Sequence, residues 1–201
     1  MQVSFSPRLI LASASPRRRD LLASAGYAFE VHPADIDEDD HPPMPPADLA
    51  EHLAVLKARA LADRFHHDVI LAADTVVALG NQSLGKPADA HAATAMLGLL
   101  SGTTHVVVTG VAVLRPAETY ERSTRVLSSV HMRPLSPDEI ERYVASNQWQ
   151  GKAGGYGIQD ESADPFVTRM TGSQSNIVGL PMEATAELLA AAGVVPARIS
   201  V

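Results

Sequence analysis

The sequence predicts an α/β domain with α+β character, built on a mixed central β-sheet flanked by helices. Three observations point there. Short apolar runs that suit buried strands alternate loosely with stretches of helical periodicity. The middle of the chain, from Thr104 to Arg133, is β-patterned and interrupted only at Pro116 to Thr119. Helix starts are marked by Ser15-Pro16 and Ser136-Pro137, where Ser suits the N-cap and Pro the first helical position. At 201 residues the chain suits one large domain, or one domain of two lobes, with room for a sizeable core.

Composition narrows the function. With 46% hydrophobic and 19% charged residues the chain reads as globular, not disordered. It has no cysteine, which excludes disulfides, thiolate zinc sites and a cysteine nucleophile, and is compatible with a reducing cytoplasm. A net charge of −7 argues against non-specific nucleic-acid binding, which needs a broad basic face. No apolar run approaches the ~20 residues of a membrane span. Met1 to Arg8 lacks the charged and apolar regions of a signal peptide.

Taken in order, Leu9-Ile10-Leu11 reads as a buried strand. The chain then passes Ser13 and Ser15 into a helix that begins at Pro16 and stops at Gly26, a residue suited to the position after a helix end. Tyr27 to His32 alternates, with Phe29 and Val31 on one face, and reads as a strand ended by Pro33. Ala34 to Pro46 is an acidic, proline-rich loop. Leu49, Leu53, Leu56 and Ala60 recur at helical spacing and predict a helix over Ala47 to Phe65. Val69 to Ala73 suits a buried central strand, continued from Thr75 to Leu79 into a Gly80-Asn81 turn. Asp89 can cap a helix from Ala90 to Leu100. Thr104 to Arg115 and Tyr120 to Arg133 read as a hairpin or neighbouring strands. Ser136 and Glu139 form a capping-box pattern for a helix to about Ser146. Phe166 to Met170 and Asn176 to Leu180 read as strands, and Pro181 precedes a last helix from Met182 to Ala192.

The chemistry concentrates at the first turn. Arg17, Arg18 and Arg19 fall where the helix dipole already places partial positive charge, so the turn is suited to an anion. Backbone N–H groups, serine hydroxyls and guanidinium forks converging there make a phosphate site. In the acidic loop Asp35, Asp37, Glu38, Asp39 and Asp40 are either a solvated surface or the source of one ligand for a hard divalent cation. Lys57 borders an apolar stripe and is either a snorkelling side chain or functional. Asp74 follows a buried strand at its carboxyl end, where open α/β sheets bind ligands, or it merely caps a turn. Lys86, between Gly85 and Pro87, can reach across a cleft. Gly151 to Gln159 is glycine-rich without the P-loop pattern, so its glycines allow close approach to a flat ligand or another strand. The histidines show no ligand spacing. Cations with one or two carboxylates suit a polyphosphate and Mg²⁺ or Mn²⁺, with water attacking directly.

Several segments together resemble the Maf family of nucleoside triphosphate pyrophosphatases. They are Leu11-Ala12-Ser13-Ala14-Ser15-Pro16-Arg17-Arg18, Ala72-Ala73-Asp74-Thr75-Val76, Gly85-Lys86-Pro87, Thr109-Gly110-Val111, Lys152-Ala153-Gly154-Gly155-Tyr156-Gly157-Ile158-Gln159 and Val178-Gly179-Leu180-Pro181. The similarity keeps its order over nearly the whole chain and implies a single domain over residues 1–201 with two lobes and a cleft, a fold shared with inosine triphosphate pyrophosphatases. It implies cleavage of a nucleoside triphosphate to the monophosphate and pyrophosphate, a divalent cation (Mg²⁺, Mn²⁺ or Co²⁺), a cytoplasmic location and a homodimer. Carried over by position, Ser13, Arg17, Arg18, Lys57 and Lys86 bind phosphate. Asp74 is the proton acceptor that activates water, and Glu38 and Asp74 are assigned to the metal. Arg17, Thr75 and Gln159 match the positions tied to substrate choice. Arg17 and Thr75 resemble the dTTP/UTP branch, whereas a branch acting on 7-methyl-GTP has Ser-Pro-Trp-Arg and Ser-Asp-Gln there. A cationic methylated base gains from an aromatic face and would be repelled by Arg17. Asp160, Glu161 and Gln174 depart from the branch pattern and bear on base preference. A nucleotide-binding regulator of septum formation is the alternative from another class.

Overall fold

Seven strands join into one mixed sheet in the computed structural model, which describes residues 7–158 and 166–197. The chain runs β1 (Leu9–Leu11), α1 (Pro16–Ser24), β2 (Glu30–Val31), α2 (Pro46–Arg59), β3 (Val69–Leu79), β4 (Gln82–Leu84), α3 (Ala90–Leu100), β5 (Thr104–Arg115), β6 (Tyr120–Met132), α4 (Pro137–Ala145), β7 (Val167–Thr171), α5 (Gln174–Val178) and α6 (Met182–Ala191). The sheet order is β2-β1-β3-β5-β6-β7, with β4 paired to β3. β1 is parallel to both β2 and β3, because the helices between them supply crossovers. The pairs β3–β5, β5–β6 and β6–β7 are antiparallel. Fold class and mixed sheet are therefore as the sequence predicts. No helix among the described residues is long and apolar enough to cross a membrane.

The long strand β3 organises the rest. Its start pairs with β1 as far as Leu71, and its end pairs with β4 from Val77 onward. Between them Ala72 to Val76 carry no strand on that side, while β5 pairs continuously on the other. The open segment divides the sheet into two lobes. Period-two alternation then sends successive β3 side chains to opposite faces. Ile70, Ala72 and Val76 pack under α2 with Ala54, Ala58, Leu49 and Leu53. On the opposite face, Leu71 and Ala73 share a core with Leu22 of α1 and Leu189 of α6. Further along that face, Val77 and Val107 join a second core with Leu97 of α3 and Tyr143 of α4.

Three expectations change. Asn176 to Leu180 is not a strand: Gln174–Val178 is the short helix α5, with Ser173 as N-cap and Gly179 (φ 121°) past its end. A short apolar β-branched run does not distinguish a strand from a buried helical turn, and the cap decides. The strand expected over Tyr27 to His32 shrinks to Glu30–Val31, since its only partner β1 is three residues long. The helix expected to Phe65 ends at Arg59 and continues as tighter turns, Leu61 N–H to Ala58 C=O and Ala62 N–H to Arg59 C=O.

Helix α2 lies unusually close to the sheet at one place. Gly110 stands directly opposite Asp74 across β3–β5, on the α2 face. A Cβ there would collide with the Ala50 carbonyl and with Glu51 Cα, both backbone of α2. Only glycine lets the helix settle at this depth. Gly110→Ala is therefore expected to lower stability at the upper end of the ~1–3 kcal/mol typical of overpacking, a fall in Tm of roughly 5–10 °C for a chain of this size. Thermal unfolding followed by circular dichroism checks it, and a Tm within a degree of wild type would refute the close approach.

Candidate active site

The split in the sheet opens a cavity of about 460 Å³. Eight of the residues that the sequence singles out for the site line it: Ser13, Arg17, Arg18, Glu38, Lys57, Asp74, Thr75 and Lys86. Gln159, Asp160 and Glu161 lie outside the described residues. Gln174 is exposed at the start of α5 and is not among the lining residues. Arg19 departs from its two neighbours and pairs with Asp20 on the surface, so two of the three arginines serve the cavity.

Asp74 projects from the strandless segment of β3 toward α2 and is 5% exposed. Lys57, from the last turn of α2, reaches it with Nζ 2.5 Å from Oδ1. Lys57 is as buried as its partner, which rules out a snorkelling surface lysine. The same Nζ lies 2.8 Å from Glu38 Oε1, and Lys86 Nζ lies 3.1 Å from Glu38 Oε2. The four charges form one chain, Asp74–Lys57–Glu38–Lys86. Burial pushes the Glu38 carboxyl up, but hydrogen bonding and charge from Lys57, then Lys86, outweigh it and hold it below the usual carboxylate range. Asp35, Asp37, Asp39 and Asp40 are exposed, as a solvated surface is, whereas Glu38 is half-buried between two lysines.

Opposite this chain sits the β1–α1 turn. Ser15 caps α1 by accepting from the Arg18 backbone N–H. Ser13 Oγ accepts from the Ser15 N–H at 3.2 Å and from Arg18 at 3.2 Å. Arg18 also donates Nε–H to the Gly179 carbonyl (2.8 Å) and an N–H of its second terminal nitrogen to Thr75 Oγ1 (3.0 Å). Three fixed acceptors thus aim the guanidinium. Burial lowers its pKa; Asp74 opposes that and Arg17 adds to it. An arginine stays charged through such a shift. Arg17 reaches across the mouth to the Gly151 carbonyl at 3.2 Å.

The glycine-rich segment forms the far wall. Gly154 (φ 71°) packs its backbone against the Val77 side chain and donates to the Gly85 carbonyl at 2.9 Å. The expected close approach is therefore to a neighbouring strand. Tyr156 anchors the wall through a 2.5 Å hydrogen bond with the buried His105. Lys152 also lines the cavity. It is the cation that the sequence reading passed over, although it opens the glycine-rich motif. Gly179 and α5 were likewise missed, hidden by the strand-like pattern.

Among the described residues no three His, Asp or Glu side chains cluster as a self-sufficient metal site. Glu38 and Asp74 nevertheless both turn to one point, the Lys57 nitrogen. Two hard carboxylates on one wall of the cavity are the donor type that a Mg²⁺-type ion takes.

The family model described as Maf-like protein matches residues 8–192. A protein of Moorella thermoacetica named dTTP/UTP pyrophosphatase is 46% identical over 187 residues, covering 93% of this chain and 96% of its own. One of the same name from Cereibacter sphaeroides is 49% identical, covering 92% and 95%. The solved Ham1 protein of Staphylococcus aureus is similar at 15% identity over 80% of each chain, with a TM-score of 0.48.

The far wall carries a pH dependence of its own. Burial, with the His131 charge adding, lowers the His105 pKa from 6.5 to about 4. Folded protein thus holds His105 neutral where an unfolded chain would protonate it. Above pH 6.5 both states are neutral and the contribution is complete; as pH falls from 6.5 toward 4 it is lost. Tm measured between pH 7.5 and 4.5 should therefore fall more steeply for wild type than for His105→Gln, which cannot titrate. Parallel curves for the two proteins would contradict this.

Proposed function

The chain belongs to the Maf family, and from that membership and the cleft we propose that it hydrolyses dTTP and UTP to the monophosphate and pyrophosphate. The reading is carried by one observation: a buried carboxylate, Asp74, lines the same cavity as five cations, and that cavity is of a size to take a nucleotide. The relatives named dTTP/UTP pyrophosphatase, similar over nearly their whole length, support the substrate class. We also place the reaction in the cytoplasm, where nucleoside triphosphates are made and spent.

In this mechanism Ser13, Arg17, Arg18, Lys57 and Lys86 receive the triphosphate. Arg18, already aimed by three acceptors, offers its remaining N–H groups without reorganising. Glu38 and Asp74 would hold a divalent cation together with phosphate oxygens, and that ion supplies charge neutralisation at the reacting phosphoryl group. Asp74 takes a proton from water as its oxygen bonds to the α-phosphorus. The bond from that phosphorus to the α–β bridging oxygen breaks, and pyrophosphate leaves with the electron pair. The cations neutralise charge as it moves onto the leaving group. Lys57 holds the Asp74 carboxylate in place through their direct contact. Arg17 at the mouth, with Thr75 and Gln159, sets base choice. A cationic 7-methylguanine meets a guanidinium there and is disfavoured.

Incubation with dTTP, UTP, dCTP, dATP, dGTP and 7-methyl-GTP in the presence of Mg²⁺, Mn²⁺ or Co²⁺ tests the proposal. Pyrophosphate and monophosphate should appear fastest from dTTP and UTP. Release of orthophosphate, or no release from any nucleotide, would sink it, and a preference for 7-methyl-GTP would move the chain to the other branch. Asp74→Asn should lower kcat by about 10³-fold, within the range of a lost general base, while nucleotide still binds. Near wild-type turnover in that variant would remove Asp74 from the chemistry.

A further inference from the structure

On the face of the sheet opposite Asp74, Thr75 and Thr109 stand directly across from each other in the β3–β5 register. Their hydroxyl oxygens are 3.0 Å apart. Thr109 is fully buried, lines no part of the cavity, and donates its proton to the Asn176 carbonyl at 3.0 Å. A hydroxyl has one proton, so Thr109 can only accept from Thr75. The Thr75 proton is thereby committed inward, and its oxygen turns lone pairs outward to Arg18. The bonds form a one-way relay: Arg18 N–H to Thr75, Thr75 O–H to Thr109, Thr109 O–H to Asn176. Its terminus is rigid. Asn176 is fully buried, and its amide nitrogen donates to the Val107 carbonyl (3.1 Å) and to Ser128 Oγ (2.9 Å). The helix it belongs to, α5, ends at Gly179, whose carbonyl takes the Arg18 Nε–H.

We propose that Thr109 is a positioning residue for anion binding: it fixes which way the Thr75 hydroxyl points and so fixes the Arg18 guanidinium at the phosphate turn. This rests on reading Arg18 as a phosphate ligand, as above. Without the Thr109 hydroxyl, Thr75 is free to turn its own proton toward Arg18, donor against donor, and the guanidinium loses one of three acceptors. Such a relay acts on binding before chemistry, because Arg18 meets the phosphates in the ground state as well as later.

The test is calorimetric binding of inorganic tripolyphosphate at fixed ionic strength. Thr109→Val keeps the shape and removes the hydroxyl; Thr109→Ser keeps the hydroxyl. Valine should weaken binding by about tenfold, the scale of one lost hydrogen bond to a charged group, and serine should restore it to within about twofold of wild type. Thr109→Ala, free of steric conflict, is measured alongside and should match valine, with thermal melts confirming that each variant is folded. In an Arg18→Lys background the valine change should cost less than about twofold, because coupled residues are non-additive. A merely structural threonine would show the same loss in both backgrounds. The proposal is overturned if valine and alanine bind as wild type, if serine fails to rescue, if the double variant is additive, or if wild type binds no tripolyphosphate. Because the readout is anion binding and not turnover, a protein that binds tripolyphosphate yet cleaves no nucleotide removes the proposed reaction and leaves this result standing.

Discussion

The contact between Lys57 and Asp74 is the constraint from which the cleft follows. An unpaired carboxylate at that depth would be strongly penalised, and so would an unpaired ammonium. Each is tolerated because the other is 2.5 Å away. That distance requires α2 to lie against β5 with no side chain between, which Gly110 allows. It also requires β3 to lack a strand partner at Asp74, which the short β1 and late β4 ensure. One glycine and two strand lengths thus create a buried, charged edge in the middle of a sheet whose other β3 positions are almost all apolar.

The alternation of β3 divides labour between the faces of the sheet. Asp74 looks toward α2 and joins the charged chain through Lys57 and Glu38. Thr75, one residue on, looks toward α5 and joins the neutral hydroxyl network that aims Arg18. Both edges meet in one cavity because the segment is strandless on that side. A one-residue slip of β3 against β5 would exchange the two faces, placing a carboxylate in the hydroxyl network and a threonine before Lys57. The nine-residue antiparallel register from Ile70 to Ala78 holds the site together as firmly as it holds the fold.

Most of this was legible where the residue types left few options. Val69 to Ala73 suits a buried strand and forms one, and the Ser15-Pro16 cap marks where the arginines fall. Lys57 and Asp74 were nameable, but their burial and mutual contact were not, because how deeply α2 settles on the sheet depends on Gly110, and a lone glycine in a strand reads as a weakness. Arg19 could not be told from Arg18 in the sequence; helical geometry turns it about 100° away. α5 was hidden because Ile177 and Val178 carry β propensity, and tertiary packing against β5 overrides it. The relay through Thr109 was invisible for a further reason: a buried threonine in a strand is ordinary, and its direction of donation appears only once the Asn176 carbonyl is in place.

Charge distribution then reconciles an acidic chain with a cationic cavity. The whole carries −7. Among the described lining residues, however, five cations, Arg17, Arg18, Lys57, Lys86 and Lys152, stand against two carboxylates, Glu38 and Asp74. Low-dielectric walls concentrate that local excess inside the cavity. The two carboxylates are not a contradiction within this field. Each is already bonded to a lysine, so they temper the repulsion among the cations when no anion is present. A cavity lined with cations alone would have no such compensation at these short separations.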